Sequence, residues 1–320
     1  MSIPPRNERY HADEVTAGTP DEAFEGSPPA VKHQLLDLSG PYRMPLLVTS
    51  AAGANGDGYG ALLAFDEDGR PLGPFSDDAR IADPRGLAVE EKGGLIFLNS
   101  GTDRVLALDR TGKVVRDTGR IEGLNPGGGN FGLDGRYYVG LRSARTIMAF
   151  PATLQGAGKY ILPSGIVPFP RGFAFGRDGR LFLASGIDPA GEGDDTIVAF
   201  APSGAILHSW SVRDPELSPL DLAIAPNGNI VVSSERPFGV PEAVTSIREY
   251  DARDGRLARV FSATGSAEFR RPRGLRFASD GTLHCVTQDE VVAFDFASGE
   301  CLGAVVRLSR LNGQAVAFFP

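Results

Sequence analysis

Three arginines occupy the same short setting: "DPRGLAV" at 83–89, "FPRGFAF" at 169–175 and "RRPRGLRF" at 270–277. A guanidinium is a planar fork of donors that fits carboxylate and phosphate oxygens two at a time. Several guanidiniums brought together repel unless something negative sits among them. Arg85, Arg171 and Arg273 are therefore candidates for holding an anion, provided that the fold makes them converge. Other residue types with chemical potential are sparse. His11 and His33 lie near the N-terminus, and His208 ("ILHSW") and His284 ("TLHCVT") sit in strand-like runs and read as packing residues. No HxxxH or HExxH pair occurs. Cys285 follows His284 directly, so on a strand the two point to opposite faces and make a poor nucleophile–base pair. "GANGDGYG" does not precede a helical pattern, which argues against a phosphate loop. "DPAGEGDD" lacks the spacing of an EF-hand loop and reads as a solvated acidic loop.

The elements that must position the arginines come from an internal repeat. Its unit is Pro-x-Gly-apolar-x-apolar, a Gly turn, then a short apolar run. Copies start at Pro84 ("PRGLAVEEKGGLIFLN"), Pro126 ("PGGGNFGLDGRYYVG"), Pro170 ("PRGFAFGRDGRLFLAS"), Pro219 ("PLDLAIAPNGNIVVSS") and Pro272 ("PRGLRFASDGTLHCVT"). The gaps of 42, 44, 49 and 53 residues suit the blade of a β-propeller. Each unit reads as four strands, a to d, placed in the second unit at 86–90, 95–99, 104–109 and 114–118. Gly turns such as "RDG" and "PNG" separate a from b, and turns such as "RTG" and "PSG" separate c from d. Residues 45 to 75 supply strands b, c and d without an a strand, and the final "LNGQAVAFFP" is an a strand with nothing after it. Pairing the two ends closes a ring of six four-stranded blades, an all-β fold without a large exposed sheet edge. The propeller spans 45–320. Residues 1–44 form a polar, Pro-rich, partly ordered tail, either packed along the propeller side or strapped across a pocket mouth or a partner surface.

In such a ring the d-to-a and b-to-c connections share one face. Here that face carries the variable loops: "TSAAGANGDGYG" at 49–60, "ASGIDPAGEGDD" at 184–195 and "SSERPFGVPEAVTS" at 233–246. Long loops on a rigid scaffold are where binding residues concentrate. The residue before the repeat glycine lies on the same face, and in ring order it reads Asn312, Arg85, Gly127, Arg171, Leu220, Arg273. Arginine thus occupies alternate blades, and the three side chains are expected to converge on the channel mouth. Asp221 replaces the glycine in the fifth blade and would either pair with one arginine or contact the ligand. Asn130 in "NPGGGNFG" and Asn312 are further ligand-binding candidates, and Glu235 at the end of strand b joins Asp221 as a candidate acid–base residue. The alternative is that the arginines splay apart and bind backbone carbonyls or loop acids such as Asp77, Asp78, Asp214 or Glu216. Arg270 and Arg271 read as solvated loop charges.

Bulk properties narrow the classes. A net charge of −8 argues against a nucleic-acid surface, which needs a basic face. Two cysteines among 320 residues require no disulfide framework. No apolar stretch reaches the length of a membrane span, and the N-terminus lacks a secretory apolar region, so a cytoplasmic location is expected.

The stretch "PRGLAVEEKGGLIFLNSGTDRVLALDRTG" at 84–112 resembles an NHL repeat, and the resemblance extends over residues 45 to 320. It implies a six-bladed propeller related in scaffold to the SMP-30/gluconolactonase-like hydrolases and to the virginiamycin B lyase-like enzymes. The hydrolase pattern implies metal ligation by Glu, Asn and Asp. Three of the matching positions here carry Arg, which ligates no metal, and only Asn312 is of ligand type. A divalent cation such as Ca²⁺ wants several oxygen ligands, and the motif does not supply them. No cofactor is implied. Three functional classes follow: a small-molecule-binding propeller, enzymatic or not, with a small anionic partner; a protein-interaction platform on the long-loop face; and a metal-dependent lactonase.

Overall fold

A computed structural model describes residues 46–52, 58–90, 94–187, 191, 193–212, 214–239, 243–261 and 269–319. The expected tail at 1–44 lies outside these residues. The described chain is all-β and arranged as a six-bladed propeller. The first blade contains β1 (Leu46–Ser50), β2 (Ala61–Phe65) and β3 (Pro71–Pro74). The second is β4 (Leu87–Val89), β5 (Ile96–Ser100), β6 (Arg104–Leu108) and β7 (Val114–Asp117), each strand within two residues of its expected bounds. The third is β8 (Pro126–Phe131), β9 (Tyr137–Leu141), β10 (Thr146–Phe150) and β11 (Lys159–Tyr160). The fourth is β12 (Pro170–Phe175), β13 (Leu181–Ser185), β14 (Thr196–Phe200) and β15 (Ile206–Val212). β16 (Pro219–Ile224), β17 (Ile230–Arg236), β18 (Val244–Tyr250) and β19 (Leu257–Phe261) make the fifth. β20 (Leu275–Phe277), β21 (Leu283–Val286), β22 (Glu290–Phe294) and β23 (Cys301–Arg307) make the sixth. The last strand, β24 (Gly313–Phe318), pairs antiparallel with β1, from Leu46 opposite Phe318 to Ser50 opposite Gly313. Among the described residues no helix is long and apolar enough to cross a membrane.

The core explains why the central strands read as unbroken apolar runs. Buried side chains form six clusters, each joining two neighbouring blades. In β13, Phe182 and Ala184 face the fifth blade while Leu181 and Leu183 face the third. Both faces of the strand are covered, so both sets of alternating positions must be apolar. The turns between strands a and b and between c and d follow from one device. An Asp or Asn side chain accepts backbone N–H groups two or four residues on, as Asp109 does from Thr111 and Lys113 and Asn227 does from Asn229.

The repeat signature Pro-x-Gly has two separate jobs. First, the strand register shifts between Pro126 and Gly129, Pro170 and Phe173, and Pro219 and Leu222. Such a bulge turns the residue at x away from the blade interior and toward the mouth. Second, the glycine lets adjacent inner strands approach. A β-carbon on Gly172 would lie 2.1 Å from Asp221 Oδ1, and one on Gly274 would lie 2.6 Å from Ala315 Cα. Ala315 belongs to the strand that closes the ring, so it has little room to yield. Gly274→Ala is expected to destabilise the protein by about 1–3 kcal/mol. Urea unfolding of the variant against the parent checks this.

Candidate functional site

Arg85, Arg171 and Arg273 stand at the starts of the inner strands of alternate blades, and each meets a carboxylate. Arg85 Nη2 donates to Asp83 Oδ2 at 2.8 Å, and its Nη1 reaches Gln314 Oε1 at 3.5 Å. Arg273 Nη1 donates to Glu235 Oε2 at 2.8 Å. Arg171 Nη1 donates to the Pro219 carbonyl at 2.8 Å and to Ser218 Oγ at 3.3 Å, with Asp195 Oδ1 3.8 Å away. Arg171 and Arg273 do bind neighbouring backbone carbonyls, those of Pro219 and Pro272, as the alternative reading expected, but three of the loop acids named in it are engaged elsewhere. Asp214 and Glu216 hold Arg248, and Asp78 holds Arg80. Arg171 and Arg273 do not point apart. Arg171 and Arg273 lie 4.5 and 5.3 Å from the centre of one ring, Phe238, and Arg171 feels the Arg273 charge.

A fourth guanidinium completes the group. Arg142 follows β9 in the third blade, where the position before the repeat glycine is Gly127 rather than arginine. Arg142 Nε lies close to this glycine, 3.4 Å from where a β-carbon on Gly127 would sit. It lies 5.8 Å over Phe169, the ring that Arg171 also faces at 5.9 Å. Sequence reading missed it because it sits in a b-to-c connection, outside the repeat register. The signal was the gap itself, a glycine in the ring position that alternates with arginine.

The electrostatics of this group are unbalanced. Burial, together with the charges of Arg85 and Arg171, pushes the Arg142 guanidinium down to about 10. Burial pushes Arg171 to about 10 as well, against the opposing pull of Asp195. Arg273 is lowered by burial despite Glu235. Arg142 Nε and Arg171 Nη2 are buried and have no hydrogen-bond partner among the described residues. Arg171 is only 7% exposed, and it occupies a recess kept open by Gly186, whose β-carbon would lie 2.2 Å from the guanidinium carbon. Desolvated donors of this kind carry a free-energy cost until an acceptor meets them.

The other candidates are placed differently. Glu235 is buried at the edge of the arginine group, against Arg273. Asp221 lies deeper, in the space left by Gly172, where Oδ2 accepts the Leu275 amide at 2.9 Å. Its arginine neighbour is none of the three but Arg276, at 3.9 Å. Arg276 stands in register with Ala88, Ala174, Ala223 and Ala315 and reaches across the channel, donating to the Leu87 carbonyl two blades away at 3.1 Å. Asn312 is held by backbone, with Nδ2 donating to the Ala51 carbonyl at 3.2 Å. Asn130 Oδ1 accepts the amide of Phe131, near the far end of β8. Asn312 Oδ1 also lies 3.5 Å from Gln314 Nε2, and Gln314 Oε1 is the atom that Arg85 reaches, whereas Asn130 bonds within its own strand. His284 packs edge-on against Phe318, and Cys285 is fully buried. Among the described residues, no three His, Cys, Asp or Glu side chains are grouped to share a metal ion.

Two outcomes follow from these charges. With no added multivalent or organic anion, Arg142→Met should unfold at higher denaturant concentration than the parent, a gain of roughly 1 kcal/mol, because it removes a part-buried charge that has no ion-pair partner among the described residues. Burial raises the Asp221 carboxyl above its ordinary value, more than Arg276 and the Leu275 and Leu222 amides lower it. A group raised on folding stabilises the protein below its unfolded pKa, and that contribution is lost as pH rises through the folded one. Asp221→Asn, always neutral, should therefore melt above the parent at pH 7, with the difference shrinking toward about pH 4.

No protein-family model and no curated protein sequence matches the chain. Solved structures do match in fold. A structure of the nidogen/laminin complex superposes with a TM-score of 0.66 at 12% identity, covering 87% of this chain and 99% of that one. A gluconolactonase from Xanthomonas campestris gives 0.57 at 17% identity, covering 84% and 89%. Virginiamycin B lyase from Staphylococcus aureus gives 0.51 at 15% identity, covering 68% of each chain. The chain shares with these proteins the propeller fold, as its repeat led one to expect.

Proposed function

We propose that this propeller binds a small anionic molecule, through a carboxylate or phosphate group, at the arginine-lined mouth of its channel. The observation that carries the reading is the pair of buried guanidinium donors, Arg142 Nε and Arg171 Nη2, without an acceptor inside a group of four arginines. Fixed carboxylates at Asp83, Asp195 and Glu235 preorganise the cluster without neutralising it. Donors already oriented in a desolvated site bind an anion with little further ordering.

The fold is compatible with catalysis, since the solved structures sharing it include a gluconolactonase and a lyase. In an enzymatic form of the reading, the arginines would stabilise developing negative charge. Glu235 would then be the acid–base group, because it lies against Arg273, whereas Asp221 is tied to the Leu275 amide and Arg276 below. The residues taking the alternate repeat positions are arginines, which favours anion binding over the metal-dependent lactonase.

Thermal melting with acetate, phosphate or sulfate against chloride at equal ionic strength tests the reading. The parent should melt higher with at least one of these anions, by an amount that grows with the logarithm of its concentration above Kd. Arg171→Met should abolish the rise. An equal rise in that variant, or none in the parent, would overturn the proposal.

A further inference from the structure

Two phenyl rings are interleaved with the three inner arginines. The spatial order is Arg142, Phe169, Arg171, Phe238, Arg273, with each guanidinium 4.5 to 5.9 Å from a ring centre. Phe238 is 45% exposed and Phe169 is half-buried. Guanidiniums bind aromatic faces through the ring quadrupole, and the ring edges and outer faces stay available to a ligand. Apolar walls with a few convergent polar groups are the usual make-up of a small-molecule site.

The charge balance restricts the ligand further. Arg85 with Asp83, and Arg236 at 3.5 Å from Asp195, have arginine side chains 29% and 37% exposed, so solvent and salt screen them. The inner set is Arg142, Arg171 and Arg273, facing the buried carboxylates Glu235 and Asp195. With the part-exposed Arg236 set aside as screened, although at 3.5 Å it lies nearer Asp195 than Arg171 does at 3.8 Å, three buried or part-buried positive charges stand against two negative ones. A monoanion balances the set. A dianion exceeds it and has to be desolvated beside Glu235 and Asp195.

Resting on the anion-site reading above, we infer that the ligand is an aromatic monocarboxylate. Its carboxylate bridges Arg142 and Arg171, and its ring packs against Phe238. The chemistry that selects it is one negative charge on a flat apolar body. Acetate has the charge without the body, inorganic phosphate carries more charge without the body, and benzyl alcohol has the body without the charge.

The test is thermal melting of the full chain with benzoate, phenylacetate, acetate, inorganic phosphate and benzyl alcohol at matched ionic strength. Benzoate or phenylacetate should produce a given rise in Tm at about five- to tenfold lower concentration than acetate, the scale of one aromatic contact. Benzyl alcohol should produce none. Phe238→Ala, a change at an exposed side chain, should bring the aromatic acids down to the acetate response and leave that response in place. Arg142→Met should remove the response to all carboxylates. An acetate response equal to benzoate, a stronger phosphate response, or an undiminished benzoate response in Phe238→Ala would overturn the aromatic monocarboxylate while leaving the anion site standing. Failure of every anion to act would remove both.

Discussion

The pairing of the last strand with the first sheet is the constraint on which the molecule depends. β24 supplies the inner strand that the first blade lacks, and its five-residue register with β1 joins the chain's two ends into one ring. Without it, β1 and the sixth blade's inner strand would each present an unpaired edge or face to water. Closure also fixes the ring's circumference, so the inner strands have to fit side by side around a narrow axis. That is why glycine recurs at the inner position. Gly172 against Asp221 and Gly274 against Ala315 leave no space for a β-carbon.

The arginine mouth is a by-product of the same geometry. In the third, fourth and fifth blades a bulge at the start of the inner strand shifts the register. Arginine at alternate positions concentrates charge there, and the variable loops and strand ends contribute the acids that hold it in place. Glu235 comes from the end of β17, Asp195 from the edge of β14 and Asp83 from the connection into β4. Deeper in the channel, Asp221 and Arg276 form a separate polar layer, bound largely to backbone. The ring thus has a charged mouth with unmatched donors above a polar layer whose hydrogen bonds are made.

The structural neighbours show how little the scaffold constrains chemistry. Proteins below 20% identity, among them one in a nidogen/laminin complex, a gluconolactonase and a lyase, share the six-bladed or a related propeller. Function has to be argued from the side chains a chain places on that scaffold. In this chain they are guanidiniums and phenyl rings.

The fold was legible in the sequence because each blade repeats a local pattern. The Pro-x-Gly start, the Asp- or Asn-led Gly turns and the doubly buried apolar runs each have a short-range cause. Even the strapped closure could be read, from a unit missing strand a at one end and a lone strand a at the other. The arginines at 85, 171 and 273 were legible for the same reason, since they stand in repeat register. What lay outside the register was decided only by the folded ring. Arg142 joins the group from a b-to-c connection beside Gly127, and Arg276 crosses to a blade two places away. Asn130 and Asn312, of suitable type, are held by neighbouring backbone. The sequence by itself determined the blades, their closure and which end would carry charge, because those depend on neighbours within a unit. Which arginine meets which carboxylate, and which is left without one, depends on distances across the channel, and only the tertiary structure sets those.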